Sequence, residues 1–580
     1  MNDFAPAVDE ICFALRVWGR TPELLSTIHA EQRWDTVEAI VREAGRFAAE
    51  VLAPIDANGH KEGCALLADG GVRTPTGWVT AYAKFVEAEW NRVHFSSDVG
   101  GSGLPAPVSI AVAELFEAAN VAFSLALTPF AGVVTLLQQF GTPEQKRRYL
   151  EPLVSGRWSA TLAMTEAHAG TDIGAVLTKA AEDPEAARIR GQKCFISYGE
   201  HAMTENIVHF VLARDPSGKP GVKGLSLYLV PKRLVGEDGS LGGHNNVRCL
   251  AVEKKMGIHG SPTTIMQFGG DGQGALGERL GEACKGLEHM FVVLNRARLN
   301  IGVFGLASAE RALQAAESYA NERVQGSDAH GKPCVIARHP DVQRMLLEMR
   351  CAVDAIRSVS YYASGVLARS NLDADEQQRE CHRHRLDLLT PIVKGWGTEL
   401  AFEAASIGVQ VAGGIGYMDE SVAARCFLDA RVHPIYEGTT GIQALDLALR
   451  KVGRSGGAAA AHELLAEMRA TWPLQLEVAQ MEDLAGDVAE AIHALDTATA
   501  FVMEQAVSRP DVVQAIAVHY LLMWGAVVSA WLMCGAATDS IRRERARFTI
   551  LHRLVRVHMH LRIVQRGAPE VLSAVRKPCV

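Results

Sequence analysis

The sequence predicts a mainly α-helical chain with a central β-domain and a helical appendage at its C-terminal end. Three observations carry that prediction. Apolar residues recur at three- and four-residue spacing over about 30–160 and again over 284–451. Between these blocks lie short runs rich in β-branched and aromatic residues, separated by Gly, Pro, Asp and Asn clusters. After a Gly/Ala-rich break at Gly453, helical patterning resumes to the end of the chain.

Taken in order, residues 1–160 form the first helical domain. WDTVEAIVREAGRFAAEVLAPI and PVSIAVAELFEAANVAFSLAL carry its amphipathic pattern, and the turn-forming DVGGSGLPAP separates them. Residues 161–280 form the β-domain, with CFIS, IVHFVLA, LSLYLV and TTIMQF as its strands. Residues 281–452 form a second helical domain that opens on KGLEHMFVVLNRARLNIGVFGLASAERALQAAESYANERV. GRSGGAAAA, from Gly453, reads as a linker, and residues 456–580 as an additional helical domain. Within that last domain, Val512 to Thr538 contains no Asp, Glu, Lys or Arg and is long enough to span a bilayer. Its Gln514, His519 and Ser529, and the small Gly525, Ala526 and Ala530, favour a helix buried in a bundle. The alternative is peripheral membrane contact, aided by the basic RRERARFTILHRLVRVHMHLR that follows.

Composition narrows the function. The 580 residues are 48% hydrophobic and 21% charged, and a net charge of -8 gives no electrostatic footprint for a nucleic-acid binder. Eleven cysteines without a C-x-x-C pair suit reduced thiols. With an N-terminus lacking an apolar h-region, the expected location is cytoplasmic. DVGGSGLP and VAGGIGYM are not dinucleotide fingerprints, and no phosphate-loop or G-x-S-x-G motif occurs. Cys381, His382 and His384 resemble metal ligands by composition only, without a second cluster, so no metal site is expected.

HPIYEGTTGIQALDLALRK, from His433, poses the sharpest question. Glu437 is the only acidic residue between Ala430 and Ala444. Gly438, Thr439 and Thr440 supply turn and cap chemistry ahead of Ile442, Leu445, Ala448 and Leu449, so Glu437 could simply precede a helix start.

Four stretches, read together, change that. They are FGTPEQKRRYLEPLVSGRWSATLAMTEAHAGTDIGAV (140–176), GQKCFISYGEHAMTENIVHFVLARD (191–215), KKMGIHGSPTTIMQF (254–268) and QVAGGIGYMDESVAARCFLDARVHPIYEGTTGIQ (410–443). In this order they resemble the acyl-CoA dehydrogenase family, and above all its larger bacterial members with an extra C-terminal helical domain. Those include 3-methylmercaptopropionyl-CoA dehydrogenases and medium- and long-chain acyl-CoA dehydrogenases. The resemblance implies FAD-dependent α,β-dehydrogenation of an acyl-CoA to a trans-2-enoyl-CoA, with electrons passed to an electron-transfer flavoprotein. Fatty acid β-oxidation or related acyl-CoA catabolism is the expected setting. It implies Glu437 as the base, since the family's other base position aligns with Ala297.

The resemblance places Met164, Thr165, Phe195 and Ser197 at the flavin ring. It places Arg323 at the FAD pyrophosphate of a neighbouring subunit, Gln410, Gly413 and Gly414 at the adenosine end, and Thr439 and Gly441 on the other side of the dinucleotide. Thr171, Asn295, Arg298 and Gly438 fall on the acyl-CoA side, although Asn295 stands where several members have aspartate. A homodimer is expected. Two other readings share the fold: an acyl-CoA oxidase, and a DNA-binding flavoprotein with little dehydrogenase activity.

Overall fold

The computed structural model describes residues 4–28, 33–181, 186–453 and 457–575. Contacts group the chain into two units: Phe47–Leu104 with Ala119–Ala297, and Met1–Arg46 with Pro105–Ala118 and Arg298–Val580.

The first of these holds the β-domain. Its main sheet runs Val247–Val252, Thr263–Phe268, Ala187–Ser197, Ala275–Leu280, Leu225–Pro231, Asn206–Arg214, Trp158–Ala163. Lys179–Ala181 pairs with Ala187–Ser197 off this path. Neighbours along the path are antiparallel except Trp158–Ala163 and Asn206–Arg214, which run parallel. Asn206–Arg214 and Leu225–Pro231 read as continuous apolar runs because nearly every residue in them is buried, on both faces of the sheet. Ile189, Val211, Tyr228, Val230, Met266 and Phe268 meet in the core beneath. Along the path, the strand Ala187–Ser197 pairs with Ala275–Gly277 at one end and Thr263–Phe268 at the other. Its register against Thr263–Phe268 slips between Thr264 and Met266, so that Cys194 and Phe195 form a bulge.

The second unit is helical. Pro340–Leu372 packs against both Glu376–Pro391 and Gly397–Ala412, and a single-turn π-helix, Ile392–Trp396, joins the last two. A charged cluster lies in its core: the Arg357 guanidinium donates to Glu114 Oε1 (2.6 Å) and Glu310 Oε2 (2.9 Å), and Tyr361 donates to Glu114 Oε2 (2.7 Å). All four side chains are buried. Such a cluster is sustainable only because each charge is paired and hydrogen-bonded.

Most of the apolar Val512–Thr538 stretch lies in the helix Pro510–Gly535, which among the described residues is one of three helices long and apolar enough to cross a membrane by length and composition. Within its unit it packs against Pro340–Leu372, Thr440–Leu445, Ala485–Ser508 and Arg556–Arg566. Gly525 lies so close to the Trp396 ring that an added Cβ would sit 2.1 Å from it. The linker expectation needs correction. Residues 454–456 lie outside the described residues, but Gly457–Val478 is already helix, because the four alanines have the highest helix propensity of any residue.

Candidate active site

Glu437 sits in a turn between the helices Val422–Ala430 and Thr440–Leu445. Thr439 caps the second of these, its Oγ1 accepting from the Ile442 N–H at 3.3 Å, which is the cap chemistry the Gly-Thr-Thr sequence predicts. Glu437 and Gly438 both have positive φ, +53° and +95°. Glycine is required at 438, where a Cβ would lie 2.7 Å from Gln443 Nε2. A glutamate in left-handed backbone is uncommon and persists only where its surroundings over-determine it.

Those surroundings are specific. Gln443 Nε2 donates to the carbonyls of Glu437 (3.3 Å) and Gly438 (3.4 Å), and Lys394 Nζ donates to the Gly438 carbonyl at 2.6 Å. The Thr440 N–H donates to the Pro434 carbonyl at 3.0 Å, and Thr440 Oγ1 to Glu399 at 2.6 Å. Buried His433 bridges Ser308 Oγ (2.9 Å) and the Tyr436 hydroxyl (3.0 Å). Burial, with Lys394 nearby, pushes that imidazole down to about 3, so it is neutral, one ring nitrogen donating and the other accepting.

Burial raises the Glu437 carboxyl above the ordinary range, while Arg298 and Lys394 pull the other way. Arg298 is held by Asp446 at 3.1 Å. Burial also depresses Lys394, to about 7, against the attraction of Glu437. The site thus holds one carboxylate made basic by desolvation, with two cations that keep it from being neutralised outright.

In the other unit, the bulge organises the predicted flavin residues. The Cys194 N–H donates to the Thr165 carbonyl at 3.0 Å, which brings Met164 and Thr165 beside Phe195. Phe195 has φ +57° and is 63% exposed, an unusual position for a large aromatic ring in a strand. Met164, Thr165 and Ser197 are partly exposed around it. Buried Lys193 donates to the Met164 carbonyl and to Glu166 Oε1, both at 2.8 Å. Glu166 in turn accepts from the N–H groups of Leu177 (2.8 Å) and Thr178 (2.9 Å), closing the loop that carries exposed Thr171.

Arg323, Gln410, Gly413 and Gly414 are exposed, and a Cβ at Gly413 or Gly414 would meet nothing within 4 Å. Asn295 is partly exposed on the helix Gly286–Glu322, and Gly441 lies in the first turn after the Thr439 cap. Sequence reasoning did not single out Lys394, Gln443, His433, Lys193 or Glu166. A lysine inside the apolar run TPIVKGWG was the one available signal.

Comparison with known proteins bears on this arrangement. Models of the acyl-CoA dehydrogenase N-terminal, middle and C-terminal domains match residues 35–157, 161–270 and 285–452. An acetyl-CoA dehydrogenase C-terminal-like model matches 464–574. The chain is 39% identical over 532 residues to 3-methylmercaptopropionyl-CoA dehydrogenase of Ruegeria pomeroyi, covering 90% of this chain and 89% of that protein. Its fold is similar to Caenorhabditis elegans ACDH-11 in complex with C11-CoA (TM-score 0.77, 21% identity, 93% and 90% of the two chains). It is also similar to an acyl-CoA dehydrogenase complexed with FAD from Bacillus anthracis (TM-score 0.71, 23% identity, 95% and 91%).

Proposed function

Because the chain belongs to the acyl-CoA dehydrogenase family, we propose that it oxidises an acyl-CoA to the trans-2-enoyl-CoA with Glu437 as the base for the α-proton. Family membership makes it an FAD-dependent oxidoreductase. The observation that carries the assignment of the base is Glu437 itself, partly buried in a left-handed turn pinned by Lys394 and Gln443, where desolvation raises its carboxyl.

The chemistry asks for this. The α-C–H of a thioester is a weak acid, and a carboxylate in water is a weak base. Desolvation strengthens the carboxylate as a proton acceptor, while Arg298 and Lys394 keep enough of it ionised to act. The proton moves from the α-carbon to a Glu437 carboxyl oxygen. When bound, FAD supplies the acceptor for the β-hydrogen and its electron pair.

The residues present fit that cofactor. An exposed ring at Phe195 on a bulge offers a flat apolar face, flanked by Met164, Thr165 and Ser197. Gly413 and Gly414 leave open backbone next to Gln410, and exposed Arg323 offers a guanidinium suited to a phosphate. Thr439 and Gly441 complete the set we assign to the dinucleotide. On the substrate side we assign Thr171, Asn295, Arg298 and Gly438. Electron-transfer flavoprotein is the acceptor in this reading, a homodimer in the cytoplasm the working form, and acyl-CoA catabolism the setting.

Anaerobic titration of the flavin-bound protein with acyl-CoAs of increasing chain length, including 3-methylmercaptopropionyl-CoA, tests the reading. Loss of the oxidised-flavin absorbance with one chain class supports it, and the absence of any response to every acyl-CoA overturns it. Rapid peroxide formation in air would assign an oxidase instead.

A further inference from the structure

Lys394 is fully buried in the π-helical turn Ile392–Trp396, and a buried ammonium is costly unless its hydrogen bonds are satisfied. Its hydrogen bond goes to a backbone carbonyl, that of Gly438, rather than to a carboxylate. The turn that carries it is itself immobilised. Trp396 packs on Gly525, and a Cβ at Gly395 would lie 2.7 Å from Leu521 Cδ2, so the helix Pro510–Gly535 backs the two residues that follow Lys394. A π-turn inserts an extra residue into the helical ladder and re-aims the side chains around it, a device frequent at functional sites. The charged and titratable groups around the ammonium are Glu437 and His433 on the catalytic turn, Arg298 on the helix Gly286–Glu322, and Glu399 on Gly397–Ala412.

We propose that Lys394 is a positioning residue for proton transfer: its bond to the Gly438 carbonyl fixes the left-handed Glu437–Gly438 backbone, and its charge holds Glu437 as a carboxylate. This rests on the reading of Glu437 as the base. The geometry gives Lys394 two effects with one group. The short 2.6 Å contact anchors the carbonyl that follows Glu437 and so pins the backbone from which the carboxylate projects. The ammonium offsets part of the desolvation that raises Glu437, and Glu437 offsets part of the desolvation that lowers Lys394. Gln443 supplies a neutral donor to that Gly438 carbonyl and to the carbonyl of Glu437, and fixes the turn without adding charge.

The test uses flavin-bound full-length protein and a 3-thia-acyl-CoA, an analogue whose α-hydrogens exchange with solvent but which has no β-hydrogen to lose. Exchange in deuterated buffer is read by mass spectrometry for the native protein, Lys394→Met, Lys394→Arg and Glu437→Gln. Lys394→Met removes charge and donor while keeping length. It is expected to slow exchange by about 100-fold, the effect of misplacing a reacting group by about 1 Å, with the analogue's dissociation constant unchanged within about 3-fold. Losing a neighbouring cation disfavours the carboxylate, so the acid limb of the exchange-pH profile moves to higher pH. Lys394→Arg, which retains the charge, restores the limb toward its native position. A purely structural role would lower the yield of folded protein and leave the limb where it was.

Exchange within about 3-fold of native in folded Lys394→Met, with an unmoved acid limb, overturns the proposal, since a 1 Å misplacement should cost far more. If Lys394→Met does not fold, Lys394→Gln is judged by the same two readouts. Glu437→Gln separates the two layers: exchange that survives it removes the base assignment, whereas exchange abolished there but native in Lys394→Met removes only the role of Lys394.

Discussion

Replacing Gly438 with alanine should damage the active site out of proportion to one methyl group. The residue has φ +95°, and left-handed backbone costs a residue with a Cβ about 1–2 kcal/mol. The added Cβ would lie 2.7 Å from Gln443 Nε2, so that amide must swing away. Its two hydrogen bonds, to the carbonyls of Glu437 and Gly438, are long at 3.3 and 3.4 Å, and each contributes about 0.5 kcal/mol, the low end for such bonds. The sum is about 2–3 kcal/mol, concentrated in the turn that carries Glu437. If the turn relieves that strain by shifting Glu437 about 1 Å, the reductive rate falls about 100-fold. The assay is flavin reduction at saturating acyl-CoA together with a thermal melt. Gly486→Ala is the control, because it lies in the first turn of the helix Ala485–Ser508 and its Cβ would meet nothing within 4 Å. A Gly438→Ala protein as active as the Gly486→Ala protein would refute the strained-turn reasoning.

Two further expectations concern stability. Arg357→Ala removes the cation that the buried Glu114 and Glu310 carboxyls share and should cost about 3–5 kcal/mol, whereas Arg344→Ala, whose pair with Asp341 is exposed, should leave the melting temperature near native. Equal melts for the two would contradict the burial argument. Burial also pushes His201, His209 and His433 down to about 3, against 6.5 for free imidazole. Between those values the unfolded chain binds more protons than the folded one, so stability rises with pH across the window and is lost as pH falls through it. Each imidazole contributes a slope of up to about 1.4 kcal/mol per pH unit. A melting temperature flat from pH 6.5 to 4 would contradict this.

The strands were legible because Asn206–Arg214 and Leu225–Pro231 are buried on both faces and so read as dense β-branched runs. The Thr439 cap was legible because cap chemistry is local. Glu437, by contrast, could not be told from an ordinary helix-start residue by its own neighbours. Its turn is held by Lys394 and Gln443, and Lys394 lies 44 positions before Gly438, whose backbone carbonyl it bonds, which leaves no side-chain pattern to read. The Phe195 bulge was hidden for a similar reason, since it arises from a register shift against a strand near residue 265. The glycine-led run at 453 misled in the other direction: its glycines suggest a linker, but the alanines after Gly457 continue as helix.

The most direct test of Glu437 as the base is a single-turnover comparison of native protein with Glu437→Gln, both flavin-bound and anaerobic, mixed with the acyl-CoA that reduces the native flavin. The expected result is that both bind the acyl-CoA with similar affinity, that the native flavin absorbance is lost, and that the variant's flavin stays oxidised. A variant that is reduced at the native rate would contradict the assignment and move the search for the base to another residue.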